Sequence, residues 1–274
     1  MTSGPTHRAP SLEARDLRAG YAGRVVVEGL DLAVPRRAVT VVVGANACGK
    51  STLLKTLARA LRPLGGAVLL DGTDVAGVPS RAFARSLGML PQDPVAPDGL
   101  SVADLVGRGR HPHHGWLDRW TAHDDDVVAQ ALAATGTTEL ADRHVDELSG
   151  GQRQRVWIAM ALAQDPDVLL LDEPTTFLDL THQLEVLDLL AELNRERGTT
   201  IVMVLHDLNL AARYADHLVV MADGAVLAEG APADVITAQV LRDAFRLEAV
   251  VVPDPVTGGP MIVPGRPSAK VRLT

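Results

Sequence analysis

Short apolar runs alternate with amphipathic segments along most of the chain. The runs at residues 39–43, 168–171 and 201–205 are continuous and rich in valine, leucine and isoleucine, as is typical of strands buried in a parallel sheet. Segments with a helical period, such as 52–61 and 184–197, predict helices between these strands. Strands that alternate with helices indicate an α/β fold with a largely parallel sheet.

The remaining predicted elements are shorter and follow the same alternation. Residues 12–43 predict strands separated by turns, including an alternating, half-buried strand at 28–34. Further strands are predicted at 67–70, 87–90, 218–221 and 226–228. Further helices are predicted at 80–87, 124–135, 153–164, 209–214 and 232–247.

The local composition divides the chain into three parts. Residues 1–10 are polar and contain prolines, which predicts a flexible leader. Residues 11–249 predict one α/β domain, with a mostly helical subdomain at about 93–165. Residues 250–274 are rich in proline and glycine and predict a hairpin and a tail.

Length and composition exclude several classes of protein. The 274 residues are 47% apolar and 22% charged, which suits a buried core and excludes a disordered or fibrous chain. With 34 acidic against 26 basic residues and 3% aromatics, the chain lacks the features of a general nucleic-acid binder. The single cysteine, Cys48, permits no internal disulfide and suits a reducing cytosol. No signal peptide or spanning segment is evident, so we expect a soluble or peripheral protein.

A phosphate-binding loop is predicted at GANACGKST, residues 44–52. The segment fits the pattern G-x-x-x-x-G-K-[ST], follows a β-branched strand and precedes a helix. Backbone N–H groups and the positive end of a helix then face the anion. Lys50 is expected to reach the β- and γ-phosphates, and Ser51 to ligate Mg²⁺. A plain strand–turn–helix connection is the alternative.

Two adjacent carboxylates end the apolar run VLLLDE at residues 168–173. A buried strand here would deliver Asp172 to the metal and Glu173 to an attacking water. Acidic residues often end strands, so the pair says little alone. Together with the phosphate loop, it predicts nucleotide hydrolysis.

The segment LSGGQ at residues 148–152 opens a predicted helix. Ser149 suits the N-cap position, and the two glycines that follow would expose backbone donors to an anion. Taken alone, the segment would be an ordinary helix cap with a flexible hinge.

The order of these segments resembles that of the ATPase subunit of an ABC transporter. The phosphate loop is followed by Gln92, LSGGQ, VLLLDE and His206, and the resemblance covers roughly residues 11–250. LSGGQ between the two nucleotide motifs separates the chain from kinases, GTPases and recombinase-like ATPases. Three segments look closer still to the ATPases of iron-siderophore, haem and cobalamin importers: GRGRHPH, PTTFLDLTHQ and LHDLNLAARYADHL.

The resemblance implies a P-loop NTPase core of the ABC-transporter type that binds ATP and Mg²⁺. It implies that Tyr21 stacks on adenine, that Gln92 links the metal or lytic water to the membrane partner, and that His206 contacts the γ-phosphate. Asp179 resembles the acid at the dimer seam, with an ordinary helix N-cap as the alternative. The implied nucleotide-binding residues are Tyr21, Gly44, Asn46, Cys48, Gly49, Lys50, Ser51, Thr52, Ser149, Gly150, Gly151, Gln152 and Asp179. The implied catalytic residues are Lys50, Gln92, Glu173 and His206, and the implied metal ligands are Ser51, Gln92 and Asp172.

The resemblance also implies partners. In the family, Ser149, Gly151 and Gln152 close on the ATP that a partner's phosphate loop holds, and this chain carries one such set. We therefore expect a homodimer that binds integral-membrane permease subunits at the cytoplasmic face and acts indirectly with a substrate-binding protein, without nucleic acid. Ferric siderophores are the favoured cargo, and haem or cobalamin the alternatives.

Two other classes of function stay open. One is a soluble ABC-type ATPase in translation or repair, although that class usually has paired modules or large insertions. The other is a nucleotide-binding regulator that does not turn over, against which the intact residues Lys50, Asp172, Glu173 and His206 argue. The loop departs from many relatives at Ala45 and Ala47, where proline and glycine are common. An alanine with positive φ would cost stability.

Overall fold

Three β-sheets and nine α-helices form within residues 11–115, 118–176 and 178–265, which the computed structural model describes. The strands are β1 (Leu12–Tyr21), β2 (Arg24–Val34), β3 (Val39–Gly44), β4 (Gly65–Leu70), β5 (Thr73–Asp74), β6 (Leu87–Leu90), β7 (Val168–Leu171), β8 (Thr200–Val204), β9 (His217–Ala222), β10 (Ala225–Gly230), β11 (Ala249–Pro253) and β12 (Pro260–Pro264). The helices are α1 (Lys50–Leu57), α2 (Ser80–Ser86), α3 (Val102–Gly107), α4 (Ala122–Ala134), α5 (Gly150–Ala163), α6 (Leu180–Arg197), α7 (Leu208–Tyr214), α8 (Pro232–Val235) and α9 (Ala238–Phe245). The predicted leader, residues 1–10, lies outside the described residues, as does most of the predicted tail.

A six-stranded sheet in the order β10-β9-β3-β8-β7-β6 forms the centre of the fold. Five of its strands run parallel, and β10 pairs antiparallel with β9 at one edge. Every residue of β3, β7 and β8 is buried, because other elements cover both faces of the sheet. The predicted α/β fold with a largely parallel sheet is confirmed.

Two apolar cores lie on the two faces of this sheet. Successive residues of a strand point to opposite faces. Val41 of β3 therefore packs in one core with α3–α7 and α9, while Val42 packs in the other with α1 and the antiparallel sheet β2-β1-β4-β5. The central sheet is thus fixed from both sides, which makes it a rigid support for the loops at its edges.

The parallel strands bring distant loops to one edge of the sheet. In the register, β3 pairs with β8, β8 with β7, and β7 with β6, so their carboxyl ends lie side by side. The residues that follow these four strands include Lys50, His206, Glu173 and Gln92. The carboxyl edge of an open parallel sheet is where ligands of such folds bind.

Helices dominate the stretch between β6 and β7. Here α3, α4 and α5 contact one another, and a buried ion pair of 3.0 Å joins Arg110 Nε to Asp124 Oδ1 at the start of α4. The limits of the proposed subdomain, about 93–165, stay a prediction. Across the described residues, every helix is too short or too polar to cross a bilayer.

Several predicted helix limits are wrong, and each has a local cause. Helix α1 ends at Leu57 rather than 61, because Arg59 adopts a left-handed conformation with φ +58°. The helix predicted at 232–247 is two short helices, since Thr237 leaves the helical conformation and caps α9. Helices α5 and α6 begin three and four residues before their predicted starts, because side chains cap them there.

The predicted C-terminal hairpin is present as β11 and β12, with Val250 opposite Val263. It is bound to α7, whose Asn209 side chain accepts from the N–H of Ile262 at 2.7 Å and donates to its C=O at 3.2 Å. Arg213 of α7 pairs with Asp254 at 2.8 Å, and this hydrogen bond lowers the pKa of Asp254 to about 2. The hairpin is therefore part of the folded domain.

Candidate active site

One cleft at the carboxyl edge of the central sheet collects most of the predicted site residues. Its walls are the β1–β2 turn, the loop between β3 and α1, the residues after β6, β7 and β8, the β9–β10 turn and the end of α9. The predicted residues that line it are Tyr21, Asn46, Cys48, Gly49, Lys50, Ser51, Thr52, Gln92, Glu173 and His206. Gly44 and Asp172 adjoin it through hydrogen bonds to Lys50 and Ser51.

The predicted phosphate loop leaves the start of α1 open to the cleft. The first bond within this helix runs from the N–H of Leu53 to the C=O of Gly49 at 2.8 Å, and no side chain caps the helix within the described ranges. The N–H groups of the first turn therefore lack acceptors within the helix, as an anion site requires. Lys50 is almost fully buried, and its Nζ donates to the C=O of Gly44 at 2.9 Å and of Ala45 at 3.0 Å.

Cys48 lies on the inner side of the loop. It is 8% exposed and belongs to the core that contains α1. A β-carbon placed on Gly44 would come within 2.6 Å of its sulfur, so glycine and cysteine share a tight space there. The cysteine side chain thus fills a gap under the loop, while its N–H donates to Ala45 and its C=O accepts from Gly224.

Two residues of the loop have positive φ. Gly49 at +107° is in a region that glycine adopts without strain, whereas Ala47 at +62° has a left-handed conformation that costs an L-residue roughly 1–2 kcal/mol. The sequence-based concern about Ala47 is therefore justified by the backbone.

We expect Ala47→Gly to stabilise the fold slightly and to leave nucleotide binding nearly unchanged. Relief of strain outweighs the added freedom of the unfolded chain, so the free energy of unfolding should rise by up to about 1 kcal/mol. Denaturant unfolding and nucleotide titration measure the two effects. Ala45→Pro is the comparison, because Ala45 does not have positive φ. A large gain of nucleotide affinity in Ala47→Gly would contradict the view that the natural loop is competent.

Asp172 lies buried at the end of β7 with one oxygen lacking a partner. Ser51 Oγ donates to its Oδ1 at 3.0 Å, and among the described residues its buried Oδ2 has no hydrogen-bond partner. Burial raises the pKa of Asp172, against the opposing hydrogen bond from Ser51. A buried carboxylate oxygen without a partner is what a cation would satisfy.

Three donors hold the carboxylate of Glu173. His206 Nε2 lies 2.6 Å from Oε1, while Gln92 Nε2 and Thr176 Oγ1 lie 2.8 Å and 3.0 Å from Oε2. Glu173 itself has φ +57°, a strained conformation for a non-glycine residue. A carboxylate accepts about four hydrogen bonds, so these three contacts orient it and leave room for a further donor such as water.

The LSGGQ segment and Asp179 lie outside the cleft. Ser149 caps α5 and forms a capping box with Gln152, and the exposed Ser149 and Gly150 lie at the surface. A β-carbon on Gly151 would come within 2.7 Å of the His182 ring, so a larger residue here would displace that ring from the start of α5. The helix cap therefore has a structural role within the chain, whereas a β-carbon on Gly150 would meet only Leu178, at 4.0 Å.

Asp179 is the N-cap of α6, which is the alternative left open by the sequence. Its Oδ1 accepts from the N–H of His182 at 3.0 Å and lies 2.8 Å from His182 Nδ1. The backbone bond from His182 lowers the pKa of this carboxyl group. A cap position does not exclude a contact across a dimer, because the side chain is largely exposed.

The sequence did not point to several residues of the cleft. Arg24 lies beside Tyr21, Asp223 lies in the β9–β10 turn, and residues 243–246 form the end of α9. Only the Asp223–Gly224 turn had a sequence signal, and that signal predicts a hairpin rather than a site. The C-terminal end of α9 has no motif and reaches the cleft through tertiary packing alone.

Sequence comparisons agree with this arrangement. The family model described as ABC transporter matches residues 27–176. The achromobactin transport ATP-binding protein of Dickeya dadantii is 53% identical over 96% of this chain and 98% of its own length. The ferric enterobactin transport ATP-binding protein of Escherichia coli is 46% identical over 94% and 96%, and the iron(3+)-hydroxamate import ATP-binding protein of Bacillus subtilis 47% over 92% and 93%.

Solved structures share the fold. CbiO1 of Clostridium perfringens, part of an ABC transporter complex, superposes with a TM-score of 0.75 at 30% identity and covers 87% of this chain and 97% of its own. A bacterial ABC transporter cassette superposes at 0.72 with 24% identity and covers 81% and 98%. From the family match and from relatives that align along nearly their whole length, this chain belongs to the ABC transporter family.

Proposed function

We propose that this chain is the ATP-hydrolysing subunit of a membrane importer, with ferric siderophores as the cargo. The observation that carries the hydrolytic part is the single cleft in which an open helix N-terminus, a buried lysine and an oriented carboxylate converge. The cargo is supported by the names of relatives that are 46–53% identical to this chain.

The loop between β3 and α1 holds the phosphates in this proposal. The N–H groups of the first turn of α1 donate to phosphate oxygens, and the Lys50 ammonium exchanges its carbonyl partners for the β- and γ-phosphates. Gly44, Asn46 and Gly49 form the loop that surrounds them. Tyr21, which is 46% exposed at the rim of the cleft, stacks on the adenine.

The residues at the end of β7 fit Mg²⁺. Asp172 and Ser51 supply a carboxylate oxygen without a partner and an adjacent hydroxyl, and Gln92 supplies an amide from the next loop. These are the oxygen ligands that Mg²⁺ prefers in nucleotide sites. Bound there, the ion would neutralise charge on the β- and γ-phosphates.

Glu173 is the general base of the proposed reaction. Its carboxylate accepts a proton from the water that attacks the γ-phosphate, while His206, Gln92 and Thr176 keep it in position. His206 is 46% exposed and so can contact the γ-phosphate from the open side of the cleft. The remaining acceleration comes from positioning and charge stabilisation.

A second copy of the chain completes each site in this proposal. Ser149 and Gly150 are exposed and lie outside the cleft of their own chain, so they are available to the ATP of a partner. Two copies then close around two nucleotides and reopen after hydrolysis. Permease subunits at the cytoplasmic face of the membrane take up this motion near Gln92, and a substrate-binding protein delivers the cargo to them.

An uptake experiment tests the cargo. A bacterial strain that lacks this chain should take up radioactive iron bound to a siderophore only when the wild-type chain is restored, and not when the Glu173→Gln variant is. Catecholate, hydroxamate and carboxylate siderophores are supplied separately, with haem and cobalamin as comparison substrates. Uptake of cobalamin instead of iron would favour the second candidate, for which a cobalamin import ATP-binding protein of Halobacterium salinarum is 41% identical over 93% of this chain and 63% of its own length.

A further inference from the structure

The C-terminal end of α9 faces the proposed nucleotide cleft. Asp243 and Arg246 line it together with Tyr21 and Arg24 of the β1–β2 turn. Helix α9 packs against β9, β10 and β11, far along the chain from the phosphate loop. The end of α9 therefore forms a separate wall of the cleft, and its residues belong to none of the recognised sequence motifs.

The order of strands in the sheet indicates which part of a nucleotide this wall meets. Strand β3, which precedes the phosphate loop, lies between β8 and β9. The residues proposed to act at the γ-phosphate follow β8, β7 and β6, on one side of β3, whereas α9 packs on β9 and β10, on the other side. The nucleoside lies at the opposite end of the triphosphate from the γ-phosphate, so it points toward the side of α9.

The β1–β2 turn also lies toward the nucleoside end of the proposed nucleotide. Val26 and Val27 of β2 approach Gly49 of the phosphate loop, where a β-carbon would meet them at 3.4 and 3.2 Å. Arg24 is two residues earlier on the strand, and its register partner is Tyr21. At about 3.3 Å per residue, this pair lies beyond the phosphates, where a base and ribose would extend.

Arg246 has a backbone conformation that normally selects glycine. It follows the last turn of α9 with φ +54°, and the N–H of Leu247 closes the helix on the C=O of Leu241 at 3.1 Å. Of the non-glycine residues with positive φ, Ala47, Glu173, Asp223 and Arg246 all line the cleft. Strained backbone of this kind concentrates at functional sites.

The guanidinium of Arg246 is exposed, and within the described ranges neither it nor that of Arg24 has an ion pair or a hydrogen bond to another residue. Both carboxylate oxygens of Asp243, by contrast, already accept from Gln239 Nε2, at 2.9 Å each. A planar cation without a partner can stack on a purine ring or donate to its nitrogens and to ribose oxygens. Arg246 is therefore the group of α9 that is free to bind a ligand.

We propose that Arg246 contacts the nucleoside end of the bound nucleotide and helps to determine its affinity. This inference rests on the proposed function of the cleft as an ATP site. It assigns Arg246 to binding and not to hydrolysis, because the residue lies on the side of β3 away from Glu173.

Arg246→Gly tests the inference in the full-length chain, because glycine adopts φ +54° without strain. We expect affinity for ATP and for ADP to fall by the same factor, about fivefold to twentyfold. The turnover rate at saturating ATP should stay unchanged, and the Tm should stay the same or rise. Titration with a fluorescent ADP analogue, steady-state kinetics and thermal unfolding measure these quantities. Arg246→Asn also tolerates this backbone region and should lose affinity equally.

Three comparisons make the result decisive. Inorganic tripolyphosphate should compete with the fluorescent analogue equally well in Arg246→Gly and wild type, because it has no nucleoside. Arg195→Ala removes an exposed arginine at the far end of α6 and should leave affinity unchanged, as a control for net charge. Lys50→Ala should weaken ATP and tripolyphosphate together.

Each contrary result has one meaning. Unchanged ADP affinity in Arg246→Gly, with binding lost in Lys50→Ala, would overturn the inference and leave the proposed function intact. An equal loss of tripolyphosphate affinity in Arg246→Gly would also overturn the inference, since Arg246 would then act on the phosphates. An equal loss of nucleotide affinity in Arg195→Ala would overturn it as well, since the effect would then come from the net charge of the protein. Normal nucleotide binding by Lys50→Ala would refute the cleft as the ATP site, and the inference with it.

Discussion

Glu173→Gln should bind ATP but turn it over about 10²–10⁴ times more slowly than the wild-type chain, which is the usual contribution of a general base. The substitution preserves the contacts that position the side chain. The amide oxygen can still accept from Gln92 and Thr176, and the amide nitrogen can donate to His206 in the tautomer without a proton on Nε2. What is lost is the charge that accepts a proton.

The measurement is steady-state ATP hydrolysis by the transporter complex, with nucleotide binding and dimerisation of the chain recorded in parallel. The variant should accumulate as an ATP-bound dimer, because the step that reopens it is blocked. Glu192→Gln, which removes an exposed carboxylate of α6, should behave as wild type. Near-normal hydrolysis by Glu173→Gln would remove Glu173 from the role of base.

Lys50→Ala and Ser149→Arg should each abolish hydrolysis, and an equal mixture of the two variants should regain part of it. In a dimer of either variant alone, both sites are defective. A mixed dimer has one site with two defects and one site that combines an intact Lys50 with an intact Ser149. Only residues that act on a partner's nucleotide produce this pattern.

The mixing experiment needs two controls. Ser149→Ala introduces only a small side chain and should reduce hydrolysis less than Ser149→Arg, whose side chain projects into the partner's site. Each variant alone, at the same total protein concentration, gives the baseline rate of hydrolysis. Normal hydrolysis by Ser149→Arg alone, or a mixture that stays at the baseline, would contradict a site shared between two chains.

The sequence allowed the fold class and the main cleft to be predicted because the strongest patterns coincide with strand ends. The continuous apolar runs of β3, β7 and β8 are short and rich in β-branched residues and leucine, as buried parallel strands are, and parallel register then brings Lys50, Glu173 and His206 to one edge. The chemistry of that edge could be inferred before any distance was known.

Helix limits and the contribution of α9 could not be predicted, because they depend on backbone conformations that side-chain periodicity does not encode. The left-handed conformations of Arg59 and Arg246 end α1 and α9 although neither residue is a glycine. Arg246 reaches the cleft because α9 packs on β9, β10 and β11. A residue that reaches a site through tertiary packing cannot be recognised from a local sequence motif.

The His182 ring lies against Gly151 and thereby connects two segments that the proposal places at different nucleotides. His182 is also bonded to Asp179, six residues after Glu173, so its ring links the start of α5 to the start of α6. In the proposed dimer, the segment that closes over the partner's ATP then contacts the helix that follows the chain's own base, Glu173. We therefore expect closure at one site of such a dimer to influence the other site.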